Sequence, residues 1–313
     1  MTENNPIWEH PVIYFSTRML ILVGMMLMFG GVGYSVAVFT SSSLFGIDFM
    51  ENPALLNDFS NPALVPALKY IQVLVSVAAF VFPSWYFCKA IHQTPAHYLN
   101  INRPPTFKTA GIGVVLIFAV MPFISWLIYI NGKITFPAEY KELEASLQAA
   151  EALAAQITRV FLQADGINTL LINLVVIALI PAISEEFLFR GVLQGFFYQV
   201  SKNKHVSVWV IAIVFSAFHG QFYGFIPRMV LGAVLGYAYM FTGSLWVSIL
   251  IHFVNNAFAV ICSYGPLAKQ LPSFMANDYV FEAWYINTAS AVVAVLLLLV
   301  LHNNHKKVAY NGE

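Results

Sequence analysis

The sequence predicts an all-α, polytopic membrane helix bundle. It should have about eight transmembrane helices, both termini inside, and one amphipathic surface helix. Three observations support this. Charged residues make up only 10% of the 313-residue chain against 59% hydrophobic, where a soluble domain carries about 25% charged residues; the mean hydropathy is +0.72. Apolar runs of about 20 residues, the length that crosses a bilayer core, recur along the chain. The charged residues that remain sort by sign into alternating connections.

Residues 1–133 read as an N-terminal unit of three spans. Met1–Arg18 is polar to mixed, and Glu3 and Glu9 stand where a secretory signal would carry basic residues, so the first apolar run is expected to remain as a span. That span is about Met19–Phe39, and its Gly30, Gly31 and Gly33 permit close helix contact. A loop with Asp48, Glu51 and Asp58 leads to the second span, about Tyr70–Ile91, where Pro83 predicts a kink. Lys89, Arg103 and Lys108 surround the next connection, and the third span is about Ala110–Ile130.

Residues 134–166 differ in kind. Ala, Glu, Leu and Gln dominate, and Leu143, Leu147, Ala150 and Leu153 recur at helical spacing, which predicts an amphipathic extramembrane helix too polar to span. Residues 167–263 hold spans four to seven: one from Ile167 into Ile183–Gly191, then Val206–Phe218, Ile226–Phe241 and Leu245–Cys262. Gly232 and Gly236 give the sixth a small-residue packing face. Residues 264–313 supply an outer loop, an eighth span at about Ala283–Leu301 and a basic tail.

With the N-terminus inside, inner segments carry Arg18, Lys89/Arg103/Lys108, Lys202/Lys204 and Lys306/Lys307. Outer segments carry Asp48/Glu51/Asp58, the mostly acidic Glu139–Asp165 stretch and Asp278/Glu282. That is the positive-inside pattern of an integral, multi-pass protein of the inner or plasma membrane. Net charge is zero, so bulk electrostatics imply no nucleic-acid partner. Cys88 and Cys262 lie in apolar runs and read as small buried hydrophobes.

Ionisable groups at membrane depth cost about 2.5–3.5 kcal/mol each on the insertion scale, so an intramembrane cluster is a functional-site hypothesis by default. Ile183–Gly191 (ISEEFLFRG) contains one. Glu186 and Arg190 are four apart, the favoured ion-pair spacing, while Glu185 points about 100° away and has no partner in its own helix. The plainer reading has Pro181 break the span, Ser184 cap a new helix and the two Glu favour its N-terminal dipole. Phe215 and His219 share a face of the fifth span, and His252 and Asn256 share a face of the seventh. Taken singly, such His and Asn residues are ordinary interhelical hydrogen-bond formers.

A carboxylate, two imidazoles and an amide brought together form a hydrolytic constellation. Glu185 would act as general base on water, and His252 and Asn256 would stabilise an oxyanion. Glu185, His219 and His252 can also ligate Zn²⁺ with an open fourth position, although no H-E-x-x-H occurs. The competing reading is a non-enzymatic membrane module: a proton-coupled transporter, or a scaffold or immunity protein. Intramembrane carboxylate and His pairs also relay protons, but the two halves show no internal repeat of the transporter kind.

In order, EExxxR at Glu185–Arg190, FxxxH at Phe215–His219 and HxxxN at His252–Asn256 resemble the motifs of the CPBP (Abi) family. These are intramembrane proteases related to the CAAX prenyl endopeptidases and to bacteriocin-processing or immunity proteins. The resemblance covers roughly Ile167–Ile261 and implies an endopeptidase acting on a membrane-associated or lipidated peptide or protein. It implies that Glu185 activates water with help from His219, that His252 and Asn256 polarise the scissile carbonyl, and that Glu186 and Arg190, with Phe215, support the site. The family is often labelled metalloprotease, and metal- or glutamate-based chemistry stays open here. Straight spans would place Glu185, His219 and His252 at different depths, so convergence requires a tilted, broken or short fourth or fifth helix.

Overall fold

The computed structural model describes residues 11–59, 61–164, 166–268 and 283–304. Of the described residues 84% are helical and none lies in a strand. The long helices are α1 (Pro11–Phe45), α2 (Pro62–Ala90), α3 (Phe107–Asn131), α4 (Lys141–Leu162), α5 (Ile167–Ser201), α6 (Lys204–Ala217), α7 (Phe225–Thr242), α8 (Leu245–Cys262) and α9 (Trp284–Asn304). Among the described residues, seven of these, all but α4 and α6, are long and apolar enough to cross a membrane. The protein is an integral, multi-pass membrane protein. Asp165, Asp278, Glu282, Lys306 and Lys307, on which part of the charge pattern rests, lie outside the described residues.

The expected fifth span differs from the others. α6 has 14 residues, which at 1.5 Å per residue is about 21 Å, short of a hydrocarbon core about 30 Å thick. Asn203 caps its start by accepting from the backbone N–H groups of His205 and Val206.

α5 answers the other half of the depth problem. It is continuous over 35 residues, but wide π-helical turns at Leu174–Leu179 and Phe187–Gln194 flank the segment Ile180–Glu186. Such turns insert a residue and re-aim the side chains after it. Pro181 sits in the first turn after one of them, where its missing N–H is absorbed. α2 repeats the device, with a π-helical stretch at Val77–Val81 directly before Pro83. Ser184 caps nothing: its Oγ donates to the Ile180 carbonyl at 2.7 Å inside a running helix. The plainer reading, a helix restarted at Ser184, is therefore corrected.

Helices inside a bilayer gain little from hydrophobic exclusion, so small residues and close contact hold them together. A Cβ on Gly33 of α1 would lie 2.5 Å from Ala78 of α2, and one on Gly191 of α5 would lie 2.8 Å from Leu99. α6 packs along α7, α3 along α9, and α8 against both α3 and α5. Phe87, Leu99, Leu188, Phe189, Phe196, Phe215 and Tyr239 are buried in the cluster that surrounds α5.

α4 is the amphipathic helix, starting at Lys141 after an irregular approach. Hydrogen bonds fix its end: Asn173 of α5 donates to the Leu162 and Gln163 carbonyls at 3.2 and 3.4 Å. Gln221 donates to Glu151 at 2.9 Å and in turn accepts from Arg228.

Candidate active site

Glu186 is the centre of the polar cluster. Its side chain is fully buried, and Oε1 accepts from Arg190 Nη1 at 2.8 Å, the i,i+4 pair expected from the spacing. The same oxygen lies 2.9 Å from His252 Nδ1. Glu186 therefore joins α5 to α8 as well as bracing its own helix, a role the sequence did not reveal. Arg190, only 1% exposed, also donates through Nη2 to the Gly232 carbonyl of α7 at 3.0 Å. Its guanidinium stacks 4.5 Å from the Phe215 ring centroid.

This convergence has a local cause. Arg190 and Gln194 are one turn apart on α5, and Gly232 and Gly236 are one turn apart on α7. Gln194 donates to the Gly236 carbonyl at 3.0 Å, so the two helices share two parallel rungs. A Cβ on Gly232 would lie 3.1 Å from Phe215, and one on Gly236 would lie 2.8 Å from Gln194 Oε1. The small-residue face packs the helices as expected, and it also exposes two carbonyls to buried donors.

Phe215 is the apolar hub. Besides Arg190, its ring meets the His219 ring at 5.1 Å, the His252 ring at 6.1 Å and the Phe189 ring at 5.1 Å. One residue thus brings the end of α6 beside the middle of α8. His219 lies just beyond the short helix, exposed at the edge of the bundle, with Nδ1 2.9 Å from the Phe215 carbonyl.

The partners decide which ring nitrogens remain available. A carbonyl can only accept, so His219 Nδ1 carries the proton and Nε2 is the outward atom. An ionised Glu186 likewise only accepts, so His252 donates from Nδ1 and turns Nε2 outward. His252 Nε2 lies 3.9 Å from Glu185 Oε2. That is too long for a direct hydrogen bond and short enough for a shared water-sized group. Glu185 Oε2 is itself buried and accepts no hydrogen bond from the described residues. A buried carboxylate oxygen without a partner requires an explanation.

Asn256 lies one turn beyond His252 on α8 and is half-buried. Its Oδ1 accepts from Asn255 at 3.1 Å, which leaves its amide N–H groups for other use. Among the described residues no hydrogen bond joins it to Glu185, Glu186 or either imidazole. As for Zn²⁺, no three His, Cys, Asp or Glu among the described residues come together as a metal site. The bonds at His252 Nδ1 and His219 Nδ1 leave both Nε2 atoms available, the way an outer acceptor holds a ligating imidazole; Glu185 and these two nitrogens are the groups that would hold an ion. No step below passes through a metal.

Residues 167–258 match the family model described as type II CAAX prenyl endopeptidase Rce1-like. That stretch contains every residue of the cluster above. YpbD of Bacillus subtilis (strain 168), an uncharacterized protein, is 32% identical over 89 residues, which are 27% of this chain and 42% of that protein. MroQ of Staphylococcus aureus (strain USA300), named a membrane-embedded CAAX protease, is 32% identical over 91 residues, 27% of this chain and 36% of that protein. The chain thus spans less than half the length of the curated relatives it matches. No solved structure gives a significant match.

Proposed function

We propose that this protein is an intramembrane endopeptidase of the CAAX-protease type, hydrolysing a peptide bond in a membrane-associated or lipidated substrate. One observation carries the reading. Glu185 Oε2, buried and without a hydrogen bond from the described residues, faces His252 Nε2 across 3.9 Å. A water held between them would be polarised by both groups. The match of residues 167–258 to the Rce1-like model and the name of the Staphylococcus aureus relative support membrane proteolysis as the activity.

In this mechanism Glu185 accepts the proton of the attacking water, an effect of about 10²–10⁴-fold in rate for a well-placed general base. Glu186 sets the tautomer and angle of His252 through Nδ1, as a carboxylate does for a catalytic imidazole elsewhere. Protonated on Nε2, His252 would donate to the developing oxyanion. The Asn256 amide N–H is the second donor, one turn away. His219, with Nε2 outward at the edge, assists Glu185 and passes the proton on to the leaving amine.

The test is cleavage of membrane and lipidated peptides by purified protein in detergent and in liposomes. Wild type is compared with Glu185→Gln, His252→Gln and Asn256→Ala. A Glu185→Gln variant as active as wild type would remove the proposed base. A chelator arm with Zn²⁺ add-back reads metal dependence separately.

A further inference from the structure

Glu185 also borders a cavity of about 240 Å³ between α2 and α5, lined by Gln72, Val75, Ser76, Ala79, Phe80 and Pro181. The six apart from Glu185 divide by helix: five come from α2 and one from α5. Gln72, Ser76, Ala79 and Phe80 follow helical spacing, so one face of α2 forms a continuous wall. All the lining residues are half-buried, so the cavity communicates with the surface of the bundle at the α2–α5 seam. The π-helical turn at Val77–Val81 lies within this wall, in the kind of position where such turns re-aim side chains at a site.

We infer that this cavity is the substrate side-chain subsite next to the scissile bond, and that α2 thereby sets which residue is accepted there. The inference rests on the proteolytic reading of Glu185. Its occupant is one aliphatic side chain of an unwound peptide segment. Size supports this choice: drug-sized ligands take pockets of about 300–1,000 Å³, and this cavity is smaller, suited to a single residue and not to a whole prenyl chain. Chemistry supports it too. Val75, Ala79, Phe80 and Pro181 supply an apolar lining. Gln72 and Ser76 add an amide and a hydroxyl for the peptide groups that unwinding exposes, which in a bilayer must find partners. Two larger cavities, about 450 and 510 Å³, flank α4 and are bordered by Arg228, but neither is lined by Glu185, His219, His252 or Asn256.

Two synthetic peptides test the subsite. One is farnesylated and ends in Cys-aliphatic-aliphatic-Met, with photoreactive leucine directly after the cysteine. The other is an unprenylated apolar peptide of equal length with the same residue at its centre. Each is irradiated with the full-length protein in liposomes, and the adduct is mapped by mass spectrometry. Cleavage of the same peptides is measured in parallel. The expected result is an adduct within residues 72–80, reduced at least tenfold by Ser76→Trp, which fills the cavity. Val75→Phe on the same wall is the second variant should Ser76→Trp not fold. An adduct elsewhere, an adduct undiminished by both variants, or no adduct from either peptide overturns the subsite. If an adduct forms on α2 and neither peptide is cut, the subsite stands as a binding site and the proteolytic reading falls. Cleavage with the adduct elsewhere leaves proteolysis intact and removes the subsite.

Discussion

Glu186 Oε1 lies 2.9 Å from His252 Nδ1 and 2.8 Å from Arg190 Nη1, so one buried oxygen holds an imidazole of α8 and a guanidinium of its own helix. The two adjacent glutamates therefore differ sharply in surroundings. Glu186 is tied to Arg190 and His252 through Oε1, its Oε2 having no hydrogen-bond partner among the described residues, while Glu185 faces His252 Nε2 and a cavity.

That difference predicts how the two glutamates separate under mutation. Glu185→Gln should cut peptide cleavage by about 10²-fold or more and change thermal stability far less than the matching change at Glu186, since no hydrogen bond to Glu185 Oε2 is lost among the described residues. Glu186→Gln should lose both, because removing one partner leaves Arg190 buried without its counter-charge, at about 3–5 kcal/mol. Cleavage rate and unfolding midpoint measured on the same preparations check this. Equal instability of the two variants would contradict the assignment.

Glu186→Met with Arg190→Met should be more stable than Glu186→Met alone. Replacing a whole buried pair by apolar groups is often neutral, whereas breaking it is costly. The double variant should still be inactive, because His252 loses the acceptor that fixes its tautomer. A thermal-unfolding double-mutant cycle reads the coupling.

Gly236→Ala should destabilise the α5–α7 contact by about 1–3 kcal/mol, the usual range for overpacking. The added Cβ would lie 2.8 Å from Gln194 Oε1 and 3.0 Å from Val208, and moving Gln194 aside would cost its hydrogen bond to the Gly236 carbonyl. Gly111→Ala, where nothing lies within 4 Å, is the control and should be neutral. Detergent-melt midpoints of the two variants make the comparison.

Lys69, 5% exposed, donates to Asn173 Oδ1 at 2.6 Å, and its ammonium sits 5.9 Å from the Phe161 ring centroid. Asn173→Leu removes the acceptor and should cost about 1–3 kcal/mol or more, the penalty for an unsatisfied buried donor. Adding Lys69→Met should recover most of that loss. It should also leave the α4 end looser, since Asn173 also holds the Leu162 and Gln163 carbonyls. Protease accessibility of the Leu162–Gln163 junction measures the second effect.

Much of this was legible in the residues. The Glu186–Arg190 pair follows from i,i+4 spacing and is observed as such. Of the eight spans that the apolar runs predicted, seven are helices long and apolar enough to cross a membrane among the described residues, and the polar, periodic stretch after residue 134 marks α4 as amphipathic. Other features were hidden. The apolar run Val206–Phe218 gave nearly the observed bounds of α6, Lys204–Ala217, but apolarity alone read it as a full span, which its 14 residues are too short to make. The π-helical turns around Pro181 carry no periodicity signal, since one inserted residue is invisible in a chain apolar on every face.

By itself, then, the sequence determined the all-helical membrane architecture, the Glu186–Arg190 brace and the set of polar residues able to do chemistry. These depend on composition and on separations along one helix, where geometry follows from residue number. Only the tertiary structure decided that Glu186 also holds His252, that Phe215 joins both imidazoles, and that Glu185 opens onto a cavity walled by α2. Those relations run between helices, and their distances depend on helix length, π-turns and glycine-permitted approach, none of which spacing along the chain encodes.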